Sequence, residues 1–314
     1  MKIIIPDDYP PVLAPSQACQ NLCARGPIDY YDSLPGSEER LIERIRDAEI
    51  VLNIRSSCKF TPKVFEACPR LRLLSIWGTG TDNVDLAAAV RHGVTVTNTP
   101  GVSAPSMAEH SLALMLAVAR QIPRIDAQVR QGQWPRGFVT QMYGKTLGII
   151  GLGAIGRHFA QLGAGIGMRV IAWTMHPNPA LGFELVELDE LLRTADAVSI
   201  HLRLSDQTRG FIGRRELALM KPTAILVNTA RGPIVNEAAL LEALESRRIA
   251  GAGLDVYDTE PLPPGHPLTK LENAVLTPHS GGVTPEVLEA GLQLSVENIW
   301  NFLAGNPTNV VAKP

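Results

Sequence analysis

No stretch of this chain is apolar for long enough to cross a bilayer. The best run, Ser111 to Ala119, covers only about half a membrane span, so a buried helix is expected there. Charge of one sign is missing too: 29 Lys and Arg stand against 31 Asp and Glu, a formal net charge of −2. That balance leaves no electrostatic footprint for nucleic acid or an anionic membrane surface. Cysteine is scarce. The four, Cys19, Cys23, Cys58 and Cys68, have a spacing that fits neither a zinc site nor a C-x-x-C redox pair, so ordinary thiols in a reducing compartment are expected and no metal. Internal repeats and low-complexity tracts are absent. The opening Met1-Lys-Ile-Ile-Ile-Pro6 is too short an apolar run for a secretory signal and has no cleavage-site pattern, so it is expected to be the first strand of a cytoplasmic protein.

What the chain does have is length for two domains, at 314 residues, and an alternation of short apolar strands with helices. Strands are expected at Ile3 to Ile5, Ile50 to Ile54, Leu71 to Ile76 and Val94 to Thr97, with helices at Ser37 to Asp47, Thr61 to Ala67 and Leu86 to Arg91. This pattern implies a parallel sheet covered on both faces. Ligands of such sheets bind beyond the C-terminal ends of strands, which singles out two turns, Ile54-Arg55-Ser56-Ser57 and Trp77-Gly78-Thr79-Gly80-Thr81-Asp82. Arg55 is either a surface cation or a substrate contact. Gly78 and Gly80 either make a plain turn or expose successive N–H groups suited to a carboxylate.

The stretch Thr146-Leu-Gly-Ile-Ile-Gly-Leu-Gly-Ala-Ile-Gly156 organises the rest. It reads as a buried strand, a glycine turn and a helix, with Gly151, Gly153 and Gly156 in the G-x-G-x-x-G spacing of a nucleotide site. Gly151 permits the tight turn, Gly153 lets backbone approach a pyrophosphate, and Gly156 lets helix pack close to strand. The N–H groups at the helix start, at Ala154 and Ile155, then face the phosphates. A helix to Ile166 and a strand from Met168 to Trp173 complete a βαβ unit.

Between the halves, Thr99-Pro-Gly101 breaks the pattern, and a helix from about Pro105 to Arg120 is followed by a second helical piece from Pro123 to Gly132. Apolar positions there could face a partner subunit. After the glycine loop, helices are expected at Leu188 to Arg193, Arg214 to Met220 and Glu237 to Ser246, and strands at Ala197 to Ile200, Ala224 to Val227, Gly251 to Leu254 and Ala274 to Leu276. A last helix, Pro285 to Leu303, has no strand after it and is expected to cross back to the first domain. The expected fold is therefore α/β, two doubly wound parallel-sheet domains: a smaller flavodoxin-like substrate domain from residues 1–98 and 287–314, and a Rossmann nucleotide-binding domain with its connecting helices from 99–286.

Three polar clusters follow strands of the second domain: Asn228-Thr-Ala-Arg231-Gly-Pro233, Asp255-Val-Tyr-Asp-Thr-Glu260-Pro261 and Thr277-Pro-His279-Ser-Gly-Gly282. Together they hold a chemically complete set for a 2-oxo acid. A guanidinium, Arg231, grips a carboxylate bidentately. An imidazolium, His279, gives a proton to the carbonyl oxygen as hydride reaches the carbon. A carboxylate, Glu260, fixes that ring and favours its charged form. Each residue has a duller explanation (a capping cation, a turn cap, a satisfied loop histidine); their joint appearance favours chemistry.

With these motifs in hand, the chain resembles the D-isomer-specific 2-hydroxyacid dehydrogenases over nearly its whole length. The glycine loop, the clusters at 228–233, 253–261 and 277–281, and Gly78-Thr-Gly-Thr-Asp-Asn-Val84, Asn98-Thr-Pro100 and Met107-Ala-Glu-His110 all look like that family's signatures, in its order. The resemblance implies an NAD(P)-dependent oxidoreductase that interconverts a 2-oxo acid and a D-2-hydroxy acid, with Arg231, Glu260 and His279 in the roles just given. It implies that Asp255 hydrogen-bonds the nicotinamide carboxamide and that backbone at Gly78, Thr79 and Gly80 meets the substrate carboxylate. Ser106, His201, Thr208, Ala230 and Gly281 would line the cofactor cleft. Domain closure and homodimers formed through the connecting helices are implied as well. The turn Asn53-Ile-Arg-Ser56 is similar to the phosphoglycerate branch, where Arg55 would meet a phosphate. The scaffold also resembles corepressors related to C-terminal binding protein, so a dinucleotide-sensing binding protein is the alternative.

Two departures stand out. Thr174 occupies the end of the second strand, in Ala172-Trp-Thr-Met-His176, where NAD-specific members carry an acidic residue; no Arg follows, and His176 is the basic residue nearest by. NAD is expected, with NADP the alternative. In His201-Leu-Arg-Leu204, Arg203 replaces the family's usual proline and is expected to be a solvated cation.

Overall fold

The computed structural model describes residues 1–55 and 57–314; Ser56, part of a turn singled out above, lies outside the described residues. The chain forms two compact units, Met1–Ser103 with Thr284–Pro314, and Ala104–Val283. These divisions lie a few residues from the boundaries expected at 98/99 and 286/287. They fall where a long helix begins, at Ala104, and where another is capped, at Thr284.

The first unit contains β1 (Ile3–Ile5), α1 (Gln17–Cys23), β2 (Ile28–Tyr30), α2 (Glu38–Ile45), β3 (Ile50–Asn53), α3 (Pro62–Ala67), β4 (Leu73–Ile76), α4 (Leu86–Arg91) and β5 (Thr95–Thr97). The second contains α5 (Ala104–Ala119), α6 (Ile122–Arg130), β6 (Thr146–Ile150), α7 (Ala154–Gly165), β7 (Arg169–Trp173), β8 (Glu184–Leu185), α8 (Leu188–Thr194), β9 (Ala197–Ile200), α9 (Arg214–Leu219), β10 (Ile225–Asn228), α10 (Glu237–Glu245), β11 (Gly251–Leu254) and β12 (Ala274–Leu276). The chain then returns to the first unit as α11 (Pro285–Leu303) and β13 (Val310–Ala312).

The strand order is β13-β5-β4-β3-β1-β2 in one sheet and β12-β11-β10-β9-β6-β7-β8 in the other. Among the described residues all pairings are parallel except β13 on β5. Both sheets are sandwiched: Ile4, Val51, Leu74 and Val96 face one cluster in the first unit while Ile5, Leu52 and Leu73 face another that includes Leu292, Val296 and Ile299 of α11. That is why the strands read as continuous apolar runs rather than alternating ones. Helix starts are set by side-chain caps. Ser37 is extended, and its hydroxyl accepts from Arg40 N–H, so α2 begins one residue later than the pattern alone suggests.

The strand after the last helix corrects the expectation that none follows. Thr308 and Asn309 both donate to the buried Asn298 Oδ1, and this hold turns Val310 back to pair antiparallel beside Thr97. Each sheet also has a switch point, where β1 lies between β3 and β2, and where β6 lies between β9 and β7. Loops beyond the carboxyl ends at such points form ligand crevices.

Candidate active site

At the switch point of the second unit, β6 runs into Gly151, whose φ is +102° and whose Cβ, if it had one, would stand 2.6 Å from the His201 carbonyl oxygen. A Cβ on Gly156 would stand 2.0 Å from the Gly151 carbonyl oxygen, so α7 passes its own turn at backbone contact. Gly153 is different. It caps α7 with no side-chain bond, and a Cβ there would meet nothing within 4 Å. The orphan N–H groups of Ala154 and Ile155 therefore sit at the positive end of a 12-residue helix beside open space. This cradle fits the pyrophosphate of a dinucleotide.

The other residues expected near a cofactor lie on the following loops. Thr174 comes directly after β7 and its hydroxyl accepts from His176 N–H at 3.4 Å. His201 comes directly after β9, with Nε2 2.9 Å from Ser199 Oγ and its ring edge-on to Phe159; burial draws its pKa down to about 3, so the ring is neutral. The Thr208 hydroxyl, buried, donates to Arg203 O at 2.7 Å, and the Arg203 side chain is exposed. Ser106 of α5 donates to Gly281 O at 2.7 Å.

The Arg, Glu and His come from the loops after β10, β11 and β12. Asn228 builds the first: its Oδ1 accepts from Ala230 N–H and its Nδ2 donates to Arg231 O, both at 3.0 Å, a side-chain turn that fixes the residue following it. Gly232 then presses this loop on the next, since a Cβ there would stand 2.0 Å from the Tyr257 carbonyl carbon. In that next loop Glu260 Oε1 accepts from Tyr257 N–H at 3.0 Å, while Oε2 lies 2.7 Å from Nδ1 of His279. Burial pushes the Glu260 carboxyl up, but the His279 contact, the Tyr257 N–H and the nearby charge of Arg231 outweigh it and hold the pKa below the usual glutamate range. The three groups thus share one electrostatic cluster, with the His279 side chain 42% exposed.

His279 has φ +53°, a left-handed conformation for a non-glycine residue. The two residues after it are held by Asp255, which has no exposed surface. Ser280 N–H donates to Oδ1 at 2.9 Å and Gly281 N–H to Oδ2 at 3.0 Å; the Thr277 hydroxyl donates to Oδ1 at 2.6 Å, and His110 Nε2 lies 3.3 Å from it. Burial alone would raise the Asp255 pKa, yet these donors bring it down to about 2. A depressed carboxyl stabilises the fold above its ordinary pKa of 3.8 and loses that contribution as pH falls through 2. Asp255→Asn is therefore expected to lower stability by about 2–3 kcal/mol at pH 7, with parent and variant converging as pH falls toward 2, measured by urea unfolding across that range.

The signal for His110 and Thr277 was present in the Met107 to His110 and Thr277 to Gly281 motifs, but their meeting spans 167 residues of sequence and no local pattern reveals it.

In the first unit the switch point carries a polar node that sequence reading missed. Asp7 and Asp8 follow β1 and are wholly buried. Asp7 accepts from Ile54 and Arg55 N–H at 3.0 and 2.8 Å and from the Asn53 amide; burial pushes its pKa up to about 6. Asp8 lies 3.9 Å from the Arg55 guanidinium, which stands 6.0 Å from the Trp77 ring. The signal was a pair of carboxylates one residue beyond an apolar strand. Nearby, Gly78 N–H is taken by the Thr99 hydroxyl at 2.8 Å, and Asn98 Nδ2 holds Thr79 O at 2.8 Å.

A family model described as the NAD-binding domain of D-isomer-specific 2-hydroxyacid dehydrogenases matches residues 112–281. The chain is 40% identical over 293 residues to a glyoxylate reductase of Korarchaeum cryptofilum, covering 90% of this chain and 88% of that one. It is also 40% identical over 286 residues to a D-3-phosphoglycerate dehydrogenase of Methanocaldococcus jannaschii, covering 88% of this chain but only 54% of the relative. The structure of an acyclic imino acid reductase in complex with NADPH and D-Arg superposes with a TM-score of 0.92 at 32% identity, covering 99% of this chain and 100% of that one. This protein belongs to the D-isomer-specific 2-hydroxyacid dehydrogenases, enzymes that use NAD(P) to interconvert 2-oxo and 2-hydroxy acids.

Proposed function

We propose that Arg231, Glu260 and His279 carry the reaction, and the observation that supports this most is the 2.7 Å contact of Glu260 Oε2 with His279 Nδ1. That contact fixes the ring and leaves Nε2 as its outer nitrogen, the atom that gives a proton to the substrate carbonyl oxygen in reduction and takes it back in oxidation. Arg231 grips the substrate carboxylate through its fork. The nicotinamide, when bound, supplies or takes the hydride at the substrate C2. In the first unit, the N–H groups of Thr79 and Gly80 are assigned to a carboxylate and Arg55 to a substrate contact; the Gly78 N–H is already occupied by Thr99. Ser106, Thr174, His201, Thr208, Ala230 and Gly281 are assigned to the cofactor side. Asp255 already takes four donors, so its carboxamide contact is confined to Oδ2, which receives one.

NAD is taken as the cofactor with NADP as the alternative: the turn after β7 has no Arg or Lys to bind a 2′-phosphate, but also no carboxylate to repel one, and His176 is its nearest basic group. Glyoxylate is the first acid to try, given the relatives' names. The test is nicotinamide absorbance with NADH and with NADPH against glyoxylate, larger 2-oxo acids and a phosphorylated 2-oxo acid. Oxidation with any of them supports the assignment; tight cofactor binding with silence across the panel favours a dinucleotide sensor, a role that an intact Arg, Glu and His set speaks against.

Two glycine variants separate the parts of the cradle. Gly156→Ala forces a Cβ onto a carbonyl oxygen and is expected to destabilise the fold by about 1–3 kcal/mol, read by thermal melting. Gly153→Ala enters open space, so its melting temperature should match the parent while NADH affinity, read by fluorescence, falls by about tenfold.

A homodimer is proposed as well. Ile122, Val129, Trp134, Phe138 and Tyr143 are all exposed along the α6 segment and the stretch after it, a concentration of apolar surface that fits a second copy. The cysteines are free thiols, with Cys19 and Cys23 sulfurs in a 3.9 Å hydrogen bond rather than a disulfide, which suits a cytoplasmic, reducing setting.

A further inference from the structure

We propose that His110 and Thr277, acting through Asp255, are positioning residues for His279: they fix the loop that aims the imidazole, without touching substrate. The inference rests on the assignment of His279 as the proton donor and acceptor.

The loop has a reason to need holding. His279 occupies a left-handed conformation that a residue with a Cβ leaves unless its neighbours are tied down. The ties are the two N–H groups directly after it, Ser280 on Asp255 Oδ1 and Gly281 on Oδ2. Because each oxygen takes one of two successive donors, the plane of the carboxylate sets the orientation of the loop. That plane is set from the other side. The Thr277 hydroxyl gives its one proton to Oδ1 at 2.6 Å, so its oxygen, 2.9 Å from His110 Nε2, is the acceptor of that pair. The His110 ring therefore carries a hydrogen on Nε2 and presents it to Thr277 and to Asp255 Oδ1, 3.3 Å away.

Packing reinforces the same geometry. A Cβ on Gly281 would stand 2.8 Å from His110 Cδ2 and 3.0 Å from Met107 Sδ, so the loop lies flat on α5. Ser106 on the same helix holds Gly281 O at 2.7 Å. Helix α5, the strand-end loop bearing Asp255 and the loop bearing His279 are thereby joined around one buried carboxylate. A ring displaced by even an ångström loses the alignment with Glu260 and with the carbonyl oxygen that proton transfer requires.

The test compares Thr277→Val and His110→Leu, which remove the hydrogen bonds, with Thr277→Ser and His110→Gln, which keep a donor. In the first pair kcat should fall about 10- to 100-fold, the scale seen when outer-sphere partners of a site are removed, a larger change than in the NADH dissociation constant read by fluorescence, to which Asp255 and Gly281 also contribute. The conservative pair should recover most of kcat. His279→Ala is run alongside. If it turns over like the parent, the assignment of His279 is what fails. If it is inactive while Thr277→Val and His110→Leu keep parental kcat, the positioning role is wrong. Should kcat in all four variants track melting temperature alone, the cluster serves stability and the proposal is overturned. If Thr277→Val does not fold, His110→Leu, at a partly exposed position, decides the outcome.

Discussion

Replacing His279 by alanine is expected to lower kcat by about 10²- to 10⁴-fold, the usual worth of a positioned general acid, and to leave NADH affinity close to that of the parent. The position of the ring sets both effects. It is held by Glu260 through Nδ1 at 2.7 Å and lies on a loop after β12, whereas the glycine cradle lies after β6, with three strands between them in the sheet order. Truncating the ring removes the proposed proton source without disturbing the proposed phosphate site. Water can still protonate a developing alkoxide, but without alignment, which is why the loss is large yet finite. Glu260→Gln should give a smaller loss, since the amide still meets the ring but brings no charge to favour imidazolium. Because the Glu260 pKa is held low, the carboxylate is anionic throughout the neutral range, so its contribution should be present across that range and fade as pH falls into the acid. Steady-state kinetics over pH with both variants check this; an undiminished kcat in His279→Ala would remove the acid from the mechanism.

The repetitive part of the fold was legible because both sheets are buried on two faces, so strands such as Ile50–Asn53 and Ile225–Asn228 appear as unbroken apolar runs between turns. Where burial is partial, the signal fades. The edge strand Ile28–Tyr30 has no buried residue in it, and α1 begins at a capping Ser16 in a polar stretch; neither stood out from its surroundings. The terminal strand Val310–Ala312 forms because Asn298, 0% exposed in the middle of α11, receives the amide and hydroxyl of the turn before it, an arrangement with no local periodicity.

The candidate site divides in the same way. Groups that follow directly from a strand end, Arg231, Glu260 and His279, could be proposed from position and chemistry alone. Groups whose meaning depends on a distant partner could not. Asp255 shows this: the family resemblance implied a ligand contact, whereas its burial and four donors tie it first to the loop that carries His279. Asp7 and Asp8 were likewise unremarked in the sequence, although Asp7 fixes the backbone of Ile54 and Arg55 and Asp8 that of Val12 and Leu13.

Arg231→Gln is expected to reduce kcat/KM by about 10²- to 10³-fold, mostly through KM, because a charge-paired carboxylate loses a bidentate partner worth about 3–4 kcal/mol in a desolvated site. Arg231→Lys should recover only part of this, since an ammonium supplies the charge but not the planar fork. A second effect follows from geometry. The Arg231 charge is one of the influences that keep the Glu260 pKa low, so removing the guanidinium lets that carboxyl rise. Less Glu260 is then anionic at mildly acid pH, and the acid limb of the kcat profile should move to higher pH in Arg231→Gln but stay near its parental position in Arg231→Lys. Glutamine and lysine variants that both keep the parental KM and the parental pH profile would show that Arg231 acts neither as the carboxylate clamp nor on Glu260, and the assignment of all three residues to one cluster would then fall with it.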